Sequence, residues 1–103
     1  MSEYITVARI GDIPEGKGKA FTIGDREIAV FRVGGQYYAI DDYCPHMGAS
    51  LSTGGVWNGA VVCNRQLWAF RLVDGQGIDV PTLKAETFEV RVEGEEIQVR
   101  IKK

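Results

Sequence analysis

The sequence lacks several features that common classes of protein require. No apolar run approaches the length of a transmembrane helix, so we predict that the chain does not cross a membrane. The 12 lysines and arginines are interleaved with 14 acidic residues, and the net charge is -2. Without a basic stripe, the chain does not fit the pattern of a nucleic-acid-binding protein. The first residues also lack the basic and apolar regions of a signal peptide, and we therefore expect a cytoplasmic location.

Residues that catalyse reactions are also scarce. His46 is the only histidine, and no glycine-rich phosphate loop opens a helix. Cys44 could be drawn as a nucleophile with His46 as its base, but two residues so close on one loop rarely align for that chemistry. We therefore predict that the chain is not itself an enzyme.

The chain does contain a series of short segments in which apolar and polar residues alternate. Thr87–Val92 and Glu96–Lys102 both place apolar and polar side chains on opposite faces, with a turn at Glu93-Gly94 between them. Gly34-Gly35 suits the tight turn of a β-hairpin. The predicted strands are Lys19–Ile23, Arg26–Val33, Gln36–Ile40, Val56–Trp57, Ala60–Cys63, Trp68–Val73, Thr87–Val92 and Glu96–Lys102. No window shows a helical period, and the pattern predicts one all-β domain, residues 1–103, built as an antiparallel sandwich or small barrel.

One stretch, DDYCPHMGASLST from Asp41 to Thr53, interrupts this rhythm. It does not alternate, and it contains Cys44 and His46. A loop of this length inside a compact domain is usually functional. Asp41 and Asp42 are near enough in sequence to be imagined as substitute ligands, but we expect them to be solvated loop acids.

Four side chains in two segments could converge on one metal centre. Cys44 and His46 are separated by residues 47–62 from Cys63, and Gln66 follows three residues later. In a reducing compartment, two cysteines and a histidine favour a metal site over a structural disulfide. A site with two thiolates and two nitrogens could hold zinc, or a [2Fe-2S] cluster in which two histidines replace two cysteines on one iron.

The residues around these side chains resemble the Rieske signature, which is Cys-x-His followed by Cys-x-x-His. The first loop reads CPHMGASL at Cys44–Leu51, and the second reads CNRQLWAF at Cys63–Phe70. The turn at Asp74-Gly75 is typical of the same family. From Pro81 to the final hairpin, the sequence is similar to the end of the small Rieske-type ferredoxins of bacterial oxygenase systems.

This resemblance implies a fold, a cofactor and a function. The fold would be a base of antiparallel strands that carries a cluster-binding subdomain at about residues 43–70. Cys44 and Cys63 would bind one iron of a [2Fe-2S] cluster, and His46 would bind the other. The chain would then carry single electrons between a reductase and an oxygenase or similar acceptor.

The fourth ligand position departs from the family pattern, because Gln66 stands where the family has a histidine. The amide oxygen of glutamine is a neutral and weak donor that is poorly matched to ferrous iron. We therefore expect a cluster that is less tightly held, more labile in solvent and altered in reduction potential. Gln66 could be a weak ligand, a vestigial position or an introduced substitution.

Two other interpretations remain open. The chain could be an accessory subunit with a degenerate site, resembling the small subunit of assimilatory NAD(P)H nitrite reductase and acting by binding the large subunit. Alternatively, Cys44, Cys63 and His46 could form a mononuclear metal site or a thiol–disulfide site. Without a cluster, the two cysteines could form a disulfide if the backbone permits the required geometry.

Overall fold

The computed structural model describes residues 2–24, 26–42, 50–62, 69–78 and 82–102. Within these residues the chain forms ten β-strands and one short 3₁₀ helix, Leu51–Thr53, and no α-helix. The strands are β1 (Ser2–Arg9), β2 (Gly18–Ile23), β3 (Arg26–Val33), β4 (Gln36–Asp41), β5 (Gly55–Trp57), β6 (Ala60–Val62), β7 (Ala69–Arg71), β8 (Thr87–Phe88), β9 (Val90–Glu93) and β10 (Glu96–Lys102). A helix with the length and hydrophobicity that a bilayer requires does not occur among the residues described.

The strands form three sheets, and the pairing between neighbouring strands is antiparallel throughout. The terminal sheet has the order β1-β10-β9, the middle sheet β2-β3-β4-β8, and the small sheet β5-β6-β7. This arrangement confirms the predicted all-β fold with antiparallel sheets.

Both faces of the middle sheet are covered by other parts of the chain. Ile28, Ala29, Val30 and Phe31 of β3 are all fully buried, although successive side chains of a strand point to opposite faces. One face packs into the loop-side core, whose buried members are Ala29, Phe31, Ile40, Leu51, Val61, Phe70, Leu72 and Ala85. The other face packs into the rear core, whose buried members are Ala8, Ile13, Ile28, Val30, Ala39, Ile97 and Val99. The middle sheet therefore lies between the small sheet and the terminal sheet.

The segment Thr87–Val92 was expected to be one strand, and this prediction is wrong. Thr87–Phe88 pairs with β4 in the middle sheet, whereas β9 pairs with β10 in the terminal sheet. Glu89 lies at the corner, where its carboxylate accepts hydrogen bonds from Tyr4 Oη and Arg100 Nη1, each at 3.0 Å. Strands can pass from one sheet to another at such corners. The alternation of apolar and polar residues continues through the corner, so the pattern does not reveal the change of sheet.

The tight turn predicted at Gly34-Gly35 is confirmed. The φ angles of Gly34 and Gly35 are 62° and 77°. Positive φ at both central residues belongs to a type I′ turn, whose twist matches that of a β-hairpin. Asn58 and Gly59 form a turn of the same kind between β5 and β6, with φ angles of 53° and 75°. These turns fix the register of two hairpins that lie on opposite sides of the loop-side core.

Candidate functional site

The four predicted ligand residues lie outside the residues that the structure describes. Cys44 and His46 fall in segment 43–49, and Cys63 and Gln66 fall in segment 63–68. Their assignment as ligands therefore stays a prediction. The structure does describe the residues on either side of both segments, and these residues define the frame from which the ligands are presented.

The two ends of segment 43–49 are joined by hydrogen bonds. The Leu51 N–H donates to the Asp42 backbone carbonyl at 2.7 Å. The Asp42 carboxylate accepts hydrogen bonds from Ser50 Oγ and from the Ser52 N–H, both at 2.7 Å. Asp42 is only 5% exposed, so the expectation of a solvated loop acid is wrong. A buried carboxylate is tolerated because hydrogen-bond donors replace its lost water.

Segment 63–68 begins and ends on neighbouring strands of the small sheet. Val62, the last residue of β6, pairs with Ala69, the first residue of β7. The two residues that flank segment 63–68 therefore lie opposite each other in the small sheet. In the next pair of the same two strands, Val61 lies opposite Phe70, and both side chains are buried in the loop-side core.

Gly54, which follows the first segment and the 3₁₀ helix, is in direct contact with Val62, which precedes the second segment. A Cβ atom added to Gly54 would lie 2.1 Å from the Val62 carbonyl oxygen, a distance that no real side chain tolerates. Glycine is required at position 54 by this close approach. The backbone conformation of Gly54 does not require glycine, because its φ of -78° is an ordinary value. The backbone at Gly54 therefore packs against the backbone at Val62, just before Cys63.

The residues on either side of segment 79–81 are hydrogen-bonded near the same edge of the small sheet. The Ile78 N–H donates to the Ala69 carbonyl at 2.9 Å, and the Gly77 N–H donates to the Leu83 carbonyl at 2.9 Å. Pro81, which the family resemblance includes, lies outside the described residues. Gly54 and Ile78 thus contact the ends of β6 and β7, at Val62 and Ala69 respectively.

The chemistry of the candidate ligands fits an iron–sulfur cluster at three positions. Cysteine thiolates suit iron–sulfur clusters, and a histidine imidazole is a ligand of the Rieske type. Gln66 is the position that does not fit. Within the parts of the chain that the structure describes, no group of three His, Cys, Asp or Glu side chains could hold a metal ion. The metal-site prediction therefore depends on the motif residues themselves.

The sequence did not reveal the structural role of Asp42. Asp42 makes the hydrogen bonds that join the ends of the first segment, yet the sequence presents it as one of two adjacent loop acids. A signal was available in its spacing, because Asp42 precedes Ser50 and Ser52 across a loop without alternation. Short polar side chains at the two ends of a loop often bond to nearby backbone.

Comparison with known proteins gives the family. The model of the Rieske [2Fe-2S] domain matches residues 3–99. The 3-phenylpropionate/cinnamic acid dioxygenase ferredoxin subunit of Shigella boydii is 38% identical over 90 residues, covering 85% of this chain and 84% of that protein. It is named as a subunit of an enzyme system and not as the oxygenase itself.

Two solved structures extend the comparison to the fold. A chain in the complex of reduced oxygenase and oxidized ferredoxin of carbazole 1,9a-dioxygenase is 32% identical, with a TM-score of 0.85 over 93% of this chain and 91% of that chain. The protein assigned as the NADH-dependent nitrite reductase small subunit of Mycobacterium tuberculosis is 25% identical, with a TM-score of 0.94 over 100% of this chain and 98% of that chain. The motif, the three-sheet fold and these matches together show that the chain belongs to the Rieske [2Fe-2S] domain family.

Proposed function

We propose that this chain is a Rieske-type ferredoxin that carries one electron at a time from a reductase to an oxygenase or similar acceptor. The observation that carries the proposal is the convergence of Gly54 and Ile78 on the paired residues Val62 and Ala69, together with a motif that keeps three of the four family ligands. The similarity to a dioxygenase ferredoxin subunit supports the same function.

In this proposal, Cys44 and Cys63 bind one iron of a [2Fe-2S] cluster through their thiolates, and His46 binds the other iron. Gln66 or a water molecule takes the fourth place. When bound, the cluster accepts and donates single electrons. Residues 43–70 form the cluster-binding part of one domain that spans residues 1–103. A cytoplasmic location is part of the proposal, because the motif cysteines need a compartment that keeps them reduced.

Apolar residues close in sequence to the ligand segments are buried. Leu51, Val61 and Phe70 are at most 1% exposed and pack together in the loop-side core. One residue separates each of them from the nearest ligand segment in the sequence. An apolar shell beneath a metal site limits the access of water and influences the reduction potential. These side chains would therefore protect the protein-facing side of the site.

Anaerobic purification tests the proposal. We expect iron and sulfide in near-equal amounts, a red-brown visible spectrum and an EPR signal after reduction. Cys44→Ser and Cys63→Ser should each abolish the colour, because a cluster iron loses a thiolate ligand. Reduced protein should then pass its electron to an oxygenase of the dioxygenase class. Fresh protein without iron, sulfide or an EPR signal would contradict the electron-carrier function.

A second candidate function is favoured by the fold comparison. The similarity to the nitrite reductase small subunit covers the whole chain with a TM-score of 0.94. In that case, the chain would act as an accessory subunit that binds a large reductase subunit, and the site could be degenerate. Stable co-purification with such a large subunit would support this function. A free chain that transfers electrons to an oxygenase would count against it.

A further inference from the structure

A buried acid at the base of the first ligand segment contacts both ends of that segment. The Asp42 carboxylate accepts from Ser50 Oγ through one oxygen and from the Ser52 N–H through the other. Ser52 Oγ lies 2.8 Å from Ser50 Oγ and donates to it, because the proton of Ser50 is directed to Asp42. Asp42 therefore anchors a small network that extends over the first turn after the segment.

The backbone of Asp42 connects this network to the body of the protein. The Asp42 N–H donates to the Glu27 carbonyl of β3 at 3.0 Å, and the Asp42 carbonyl accepts from the Leu51 N–H at 2.7 Å. Leu51 is fully buried in the loop-side core. The departure point and the return point of segment 43–49 are thus tied to each other and to the middle sheet.

We propose that Asp42 is a positioning residue, which fixes the separation of the two ends of segment 43–49 and thereby the presentation of Cys44 and His46. This inference rests on the proposed function for its consequence at the cluster. A carboxylate that accepts two hydrogen bonds holds its donors more firmly than a neutral acceptor does. The burial of Asp42 limits the access of competing water to its carboxylate.

Three variants separate positioning from general stability. Asp42→Ala removes both acceptor oxygens. Asp42→Asn keeps one acceptor for the Ser52 N–H, and its amide can donate to Ser50 Oγ, so it should preserve the network. Glu15→Ala is the matched control: the Glu15 carboxylate also accepts from two backbone N–H groups, those of Gly34 and Gly35, but at the opposite end of the β3–β4 hairpin.

Amide hydrogen exchange in the cluster-free protein is the first measurement. Asp42→Ala should accelerate exchange in residues 43–49 by about tenfold. Leaving such donors unsatisfied should raise the equilibrium constant for local opening by about that factor. Asp42→Asn should stay within about threefold of the wild type, and Glu15→Ala should leave this segment unchanged. Unprotected amides in the wild type, equal exchange in Asp42→Ala, or equal acceleration by Glu15→Ala would each overturn the proposal.

Release of iron from the loaded protein is the second measurement. Asp42→Ala should lose iron about tenfold faster than the wild type, whereas Asp42→Asn and Glu15→Ala should lose it at close to the wild-type rate. Equal iron release from Asp42→Ala and the wild type would overturn the link to the cluster. If the wild type contains no iron or sulfide, the proposed function fails, and hydrogen exchange still decides whether Asp42 positions the segment.

Discussion

The two cores lie on opposite faces of the middle sheet, and they are built from strands of different length. The rear core is covered by β1 and β10, of 8 and 7 residues. The loop-side core is covered by β5, β6 and β7, each of 3 residues. Strands this short form a stable sheet only when they pack against another layer. The part of the molecule that flanks the ligand segments is therefore the part that depends most on its neighbours.

The largest expected effect on stability comes from truncating one buried side chain in each core. Leu51→Ala in the loop-side core and Ile97→Ala in the rear core should each lower the free energy of unfolding by about 2–5 kcal/mol, because both side chains are fully buried. Denaturant unfolding gives the free energy of unfolding of each variant. Hydrogen exchange shows which amides become exposed first in each variant. Leu51→Ala should expose the amides of Val61 and Phe70 first, whereas Ile97→Ala should spare them. Equal exposure in both variants would mean that the two cores open as one unit.

A smaller effect is expected where the small sheet meets the first ligand segment. Gly54→Ala should lower the free energy of unfolding by about 1–3 kcal/mol, because the new methyl group would overlap the Val62 carbonyl. Gly55→Ala is the control, since a Cβ at that position meets no atom within 4 Å. Chemical denaturation of the two cluster-free variants checks the prediction. Similar midpoints would show that the backbone contact between Gly54 and Val62 relaxes without cost.

The smallest effect on folding, but a large effect on the cofactor, is expected at Gln66, the position that departs from the family pattern. Gln66→His should leave the unfolding of cluster-free protein close to that of the wild type, because the substitution replaces one polar side chain with another. It should raise the iron content and slow bleaching of the visible spectrum, because an imidazole is the ligand that this position has in the family. Equal iron content and equal bleaching rates in the two proteins would show that Gln66 is not the weak point.

The sequence predicts the strands better than it predicts how they are layered. Alternation and turn residues identify Arg26–Val33 and Glu96–Lys102, which the structure confirms as β3 and β10. The same alternation hides the corner at Glu89, because a strand can change its partners without changing its pattern. The burial of both faces of β3 also depends on contacts that are distant in sequence.

The candidate site divides in a similar way. The ligand residues were found through a family motif, and their role stays a prediction because they lie outside the described residues. The structural roles of Asp42 and Gly54 were not identified from the sequence. Their roles depend on which atoms lie next to them, namely the donors around Ser50 and the Val62 carbonyl. The spacing of Asp42 from Ser50 and Ser52 is a signal for the first set of contacts, but the sequence contains no signal for the approach of Gly54 to Val62.

The pairing of β1 with β10 has a consequence for synthesis on the ribosome. Thr6 and Gln98 contact each other across that pair, although 92 positions separate them in the chain. Long-range strand pairing is slow, and segments that await a partner are exposed to aggregation. The middle and small sheets can assemble as they emerge, while Ser2–Arg9 waits for the last strand. We therefore expect nascent chains that stop before β10 to be held by chaperones through the uncovered rear face of the middle sheet.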